Sequence, residues 1–199
     1  MQAAVFFFHG NKIMTTGGGG ILVSENKTLV DKVRFWSTQS RESFLWYEHE
    51  EIGYNYRMSN VLAAVGRAQL QGRPQMIERR VAIRDRYTMN FAGLPGSKIL
   101  QDPPWGEANA WLTTIRFDTN LFPGATEIVR DALAASNIEV RHIWKPMRRQ
   151  PVLEKAPSHL TGISDNIFAE SLCLTPGIAI SNSEVDLLSE IVLGMLTSD

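Results

Sequence analysis

A chain of 199 residues, 44% hydrophobic and 21% charged, with a formal net charge of −1, fits a globular protein of one domain or one and a half. That balance argues against a basic nucleic-acid or anionic-membrane surface. A single cysteine, Cys173, excludes an intrachain disulfide and a cysteine metal cluster, and His9, His49, His142 and His159 are too scattered for zinc.

No apolar run reaches the roughly eighteen residues of a membrane span. Ala3 to Phe8 is short and lacks the basic lead of a signal peptide, so cytoplasmic residence is expected, with no membrane, nucleic-acid or metal partner. In chain order, Val5-Phe6-Phe7-Phe8 reads as a strand. A turn with Gly10 and Asn11 follows, then Gly17 to Gly20 and a second strand, Ile21-Leu22-Val23. Both are expected to be buried and to need neighbours, because an isolated hairpin is marginal in water. The expectation is a chain that starts within a sheet, with open strand edges that pair with another copy.

Asn26 is placed to cap a helix to about Trp36, with Leu29, Val30 and Val33 on one face. Residues 37–58 are polar and aromatic without a period, and a loop of that length is usually functional. Ser59 caps a helical stretch with the stripe Val61, Leu62, Val65, Ala68 and Leu70, expected to bend or break at Gly72 and Pro74. A second helical stretch runs from Gln75 to Phe91, and its Arg79, Arg80, Arg84 and Arg86, interspersed with Glu78 and Asp85, read as a solvated face.

Residues 92–109, rich in Gly and Pro, read as a linker or domain crossing. A smaller α+β unit follows. It has strands at Trp111 to Phe117 and Ile138 to Ile143, and a helix from Ala125 to Ser136 with Ile128, Val129, Ala132 and Leu133 inward. A short helix spans Asp165 to Leu172, and Ser181 with Glu184 forms a capping box for a last helix through Leu196.

Lys12 carries the chemistry. On the residues alone two readings stay open. One is a solvated lysine in a surface turn. The other is a lysine held at a strand end beside a glycine-rich loop, where its amine forms a Schiff base or contacts a phosphate. The nucleotide-triphosphatase loop is not matched, because Lys12 precedes the glycines.

The segment Phe8-His9-Gly10-Asn11-Lys12-Ile13-Met14-Thr15-Thr16 with Gly17 to Gly20 resembles the cofactor-lysine segment of the DegT/DnrJ/EryC1/StrS family. Those are aminotransferases of nucleotide-linked keto-sugars that use pyridoxal 5'-phosphate (PLP). The resemblance continues in order through Ser37 to Arg41, Glu51 to Asn60, Ala63 to Leu70 and Arg79-Arg80. It resumes at Arg141 to Met147 with Gln150 to Val152, and ends at Cys173 to Gly177.

The resemblance implies an α/β fold of the PLP aminotransferase type (fold type I). Residues 1–92 would be part of the large cofactor-binding domain with its long helices, and 93–199 the small α+β domain. It implies that Lys12 holds PLP through its amine and then shuttles the proton, since lysine serves as imine former and general base. Relatives with histidine there are dehydratases, so Lys12 points to transamination. Asn55 corresponds to an asparagine that reaches the PLP phosphate of the partner subunit, with Arg57 supporting the same phosphate. The resemblance also implies that Trp144 and Lys145 sit near the sugar-nucleotide entrance. The implied substrates are an amino donor, glutamate, and a 4-keto nucleotide sugar of cell-surface glycan synthesis. The Trp144-to-Met147 segment looks most like that of enzymes acting on UDP-linked keto-deoxy-N-acetyl sugars.

Three departures stand beside this. Chains of the family are about twice as long, and the other half supplies further cofactor contacts. Phe7 stands where the family has a phosphate-binding serine, and Arg148 where close relatives have histidine. Two expectations follow: an aminotransferase half that works with its other half, or a truncated, inactive remnant serving as a dimerising structural domain.

Overall fold

The computed structural model describes residues 2–197. They form two compact units, residues 1–75 and 76–199. In the first, strands β1 (Ala4–Phe7) and β2 (Gly20–Val23) pair antiparallel, with Val5 opposite Leu22 and Phe7 opposite Gly20. The strands were expected to be buried, yet Phe6 is 54% and Phe7 59% exposed. The physical reason is that, among the described residues, each pairs only with the other and no second layer covers them.

Helix α1 (Lys27–Ser37) starts as the sequence predicts: Asn26 Oδ1 accepts from the Leu29 amide at 3.1 Å. Residues 38–59 are irregular apart from one antiparallel bridge between Thr38 and Asn55. Helix α2 (Asn60–Asn90) begins with Ser59 Oγ accepting from the Leu62 amide at 3.3 Å. It runs unbroken for 31 residues with Pro74 inside, where a break was expected. Proline removes one amide donor, and the ladder on either side holds the helix together. The predicted apolar stripe of its first half is exposed, Val61 by 74% and Leu70 by 54%. No described layer packs against it.

The second unit is built on the four-stranded antiparallel order β3-β4-β6-β5, with β3 at Ser97–Ile99, β4 at Thr113–Phe117, β5 at Arg141–His142 and β6 at Ser171–Leu174. Thr113, Ile115 and Phe117 of β4 face inward while Arg116 faces solvent, the two-residue period of a half-buried strand. Helices α3 (Ala125–Ala135), α4 (Ile163–Glu170) and α5 (Asn182–Thr197) complete the unit. Val129, Leu133, Leu188 and Val192 join Ile115 and Leu172 in its core. Ile128, expected inward, is 43% exposed, one position off the buried face of α3. The capping box forms: the Ser181 amide donates to Glu184 Oε2 at 2.7 Å, and the Glu184 amide to Ser181 Oγ at 3.2 Å.

The division between units falls inside α2, because Ile83, Tyr87 and Phe91 belong to the core of the second unit. The stretch read as a linker contains β3. The arginines read as a solvated face are instead anchors, and all reach partners beyond α2. Arg79 donates to Asn182 at 3.0 Å, Arg80 to the Trp111 carbonyl at 2.6 Å, Arg84 to Asp102 at 2.6 Å and Arg86 to Asp186 at 2.7 Å. No helix of the described residues is long and apolar enough to cross a membrane.

Candidate cofactor-lysine site

Lys12 lies in the connection between β1 and β2. The ladder extends one step past the strands, with the Phe8 amide donating to the Gly19 carbonyl at 3.1 Å. The chain then turns: the Lys12 amide donates to the His9 carbonyl at 3.1 Å. It is recaptured at Phe8, whose carbonyl accepts from both the Thr16 amide and Thr15 Oγ1 at 3.0 Å. Gly17 and Gly19 take left-handed φ values of 78° and 83°, which explains the glycine run. Lys12 is half-buried and Thr16 is buried.

The turn rests on the first half of α2. The Thr15 amide donates to Gln69 Oε1 at 2.8 Å. One helical turn earlier, a Cβ on Gly66 would lie 2.9 Å from Thr16 Cγ2. Gln69 and Gly66 were part of the sequence resemblance but carried no role in it. Their three-residue spacing puts both on one face of α2.

Asn55 and Arg57 are brought together on the wall of an open groove of about 1580 Å³, bounded by the hairpin, α1 and residues 54–59. The segment is pinned by backbone: the Tyr54 amide donates to the Trp36 carbonyl at 2.7 Å and the Tyr56 amide to Ser37 at 3.0 Å. Among the described residues, the Asn55 side-chain amide and the Arg57 guanidinium have no hydrogen-bond or ion-pair partner. Arg34 and Arg57 both line the groove; Arg34 is ion-paired with Asp31 at 3.1 Å, so Arg57 is the cation the wall offers to an anion. Lys12 is not among the lining residues, whereas Phe7, stacked on His9 with ring centroids 5.9 Å apart, is.

Trp144 and Lys145 belong to the second unit. The Trp144 ring is 64% exposed and leans on Trp111 at 5.4 Å; Lys145 is exposed. Arg148 forks onto Asp165 Oδ2, with Nη2 at 2.6 Å. Cys173 is a buried free thiol, and burial raises its pKa, which leaves it protonated and inert.

Residues 1–192 match the model of the DegT/DnrJ/EryC1/StrS aminotransferase family. The chain belongs to that family. Within it, the chain is 40% identical over 193 residues to EpsN of Bacillus subtilis (strain 168), whose name assigns it by inference as a pyridoxal phosphate-dependent aminotransferase; the match covers 95% of this chain and 49% of EpsN. It is 32% identical to the GDP-perosamine synthase of Escherichia coli O157:H7, over 94% of this chain and 50% of that enzyme. In fold it superposes on PseC of Helicobacter pylori, an aminotransferase of pseudoaminic acid biosynthesis, with a TM-score of 0.87 at 20% identity, over 99% of this chain and 54% of that one. The chain thus spans about half the length of the family members it matches, and its fold is that of half a sugar aminotransferase.

Proposed function

We propose that this chain forms half of a PLP-dependent aminotransferase that moves an amino group, from glutamate, onto the 4-keto group of a nucleotide-linked sugar in cytoplasmic synthesis of a cell-surface glycan. The observation that carries the reading is the family match over residues 1–192 with a lysine at position 12, in a turn tied down on both sides. The domain boundary proposed for the whole protein is 92/93.

When bound, PLP supplies an electron sink for the carbon that loses its proton. The rest falls to the residues of the chain. Lys12 Nζ would hold the cofactor and, once freed, would carry the proton from the donor carbon to the cofactor. Asn55 and Arg57 donate to a phosphate held by a second copy; a side-chain amide and a guanidinium without partners among the described residues, on one groove wall, fit an anion. Trp144 offers an exposed ring face and Lys145 a cation to the incoming nucleotide sugar. The GDP-perosamine synthase among the relatives supports the nucleotide-sugar class.

One observation favours a second reading. Phe7 lines the groove where the family carries a hydroxyl, and it is 59% exposed there, so it offers no donor to a phosphate. The reading it supports is an inactive dimerising domain. Reduction with borohydride in the presence of PLP, followed by peptide mass spectrometry, separates the two. Stoichiometric, saturable label on Lys12 is the result expected for the cofactor half. Weak label spread over several lysines would reject it in favour of the second reading.

A further inference from the structure

The geometry points to Gln69 as a positioning residue for Lys12: through its bond to the Thr15 amide, α2 sets the conformation of the turn that presents the lysine. The inference rests on the reading of Lys12 as the cofactor lysine.

The turn is anchored on one side by bonds within itself. Phe8 collects the Thr16 amide and the Thr15 hydroxyl, and Thr15 Oγ1 also accepts from the Gly17 amide at 2.9 Å. These bonds close the loop on itself but tie it to no other element. A side-chain tie from the turn to α2 is Gln69 Oε1, which accepts from the Thr15 amide at 2.8 Å across 54 residues of sequence. Beside it, Gly66 lets the helix backbone approach Thr16 so closely that a methyl group would sit 2.9 Å from its Cγ2. A hydrogen bond fixes direction and the close contact fixes distance, so the two together set one position for residues 12–16. Gln69 is half-buried, whereas Gln71 and Leu70 are exposed, so its amide is turned to the hairpin side of α2.

Methionine has nearly the length of glutamine and a comparable helix propensity but lacks the strong acceptor, and glutamate keeps the acceptor. The test compares the full chain with Gln69→Met and Gln69→Glu, by hydrogen–deuterium exchange over residues 9–17 and by the rate of PLP incorporation at Lys12. Exchange at Thr15 and Thr16 is expected to rise about five-fold in Gln69→Met, the effect of one lost hydrogen bond, with the α5 amides unchanged. PLP incorporation at Lys12 should fall about as much, and Gln69→Glu should restore both. Gly66→Ala, which pushes on Thr16 while leaving Gln69 in place, should loosen the same amides and serves if Gln69→Met does not fold.

Unchanged exchange in these variants overturns the inference whatever PLP does. Raised exchange with unchanged incorporation at Lys12 overturns it too. If the unmodified chain takes no PLP at Lys12, it is the cofactor reading that fails. Methylation of Lys12 by formaldehyde and cyanoborohydride, measured against Lys27, then decides the positioning role: a rate altered in Gln69→Met and restored in Gln69→Glu supports it, and an unaltered rate overturns it.

Discussion

Arg86 and Asp186 form a two-pronged ion pair between α2 and α5, with Nε 2.7 Å from Oδ1 and Nη2 on Oδ2. Asn90 adds a third donor to the same carboxylate at 2.9 Å. Arg86 chiefly, then Asn90, holds the Asp186 pKa down at about 2, against an ordinary value of 3.8. A carboxyl whose pKa is lower folded than unfolded adds stability above its unfolded value and loses it as pH falls through its folded value. The melting-temperature difference between the unmodified chain and Asp186→Asn should therefore be full at pH 5, shrink below about pH 4 and vanish only below the folded pKa of about 2. A constant difference across that range would mean the pair contributes nothing through ionisation.

The same pair shows where sequence reading stopped. Elements with local signals were legible: the Asn26 cap, the Ser181–Glu184 box and the alternation in β4 each depend on residues within a few positions. The four arginines of α2 were not. Their partners lie 18 to 103 residues away, and nothing in the helix distinguishes an anchored arginine from a solvated one. The helix expected over Asp165 to Leu172 takes in the first two residues of β6, because Ser-Leu-Cys-Leu is buried at every position and has no alternation to mark a strand. At the site, Lys12, Asn55 and Arg57 were named from a motif. Gln69 stayed without a role because its partner is a backbone amide, which leaves no trace in side-chain pattern.

Arg84 provides a stability test in the second unit. Its side chain is 11% exposed, and its guanidinium meets Asp102 at 2.6 Å. Asp102→Ala leaves that charge nearly buried with only the long contact to Asp85 at 3.9 Å, which should cost about 3 kcal/mol in chemical denaturation. Arg84→Met combined with Asp102→Ala removes both charges and should recover most of the loss. Equal losses in the single and double variants would show that packing, and not charge, dominates there.

Gly53 tests the stem of the 41–52 loop. A Cβ there would fall 2.3 Å from the Ser40 amide nitrogen, a backbone contact that cannot rotate away. Gln39 and Ser40 already hold φ values of 71° and 50°, so the stem is tightly determined. Gly53→Ala should destabilise the first unit by about 1–3 kcal/mol. It should also speed limited proteolysis within residues 41–52 while the second unit stays intact. Unchanged cleavage rates would show that the stem yields without cost.

Phe7→Ser asks whether the aromatic ring at that position limits cofactor binding. The phenyl ring stacks on His9, is 59% exposed and carries no donor, so its loss should leave the fold intact. A serine hydroxyl at the groove wall adds one hydrogen bond to a charged phosphate, worth about 1.5–3 kcal/mol. Because each 1.4 kcal/mol is about ten-fold in affinity, the PLP concentration for half-maximal Lys12 labelling should drop at least about ten-fold. A shift of that size would mean that the remaining site, Lys12 included, is competent and that Phe7 alone weakens it. An unchanged curve would place the limiting defect outside position 7.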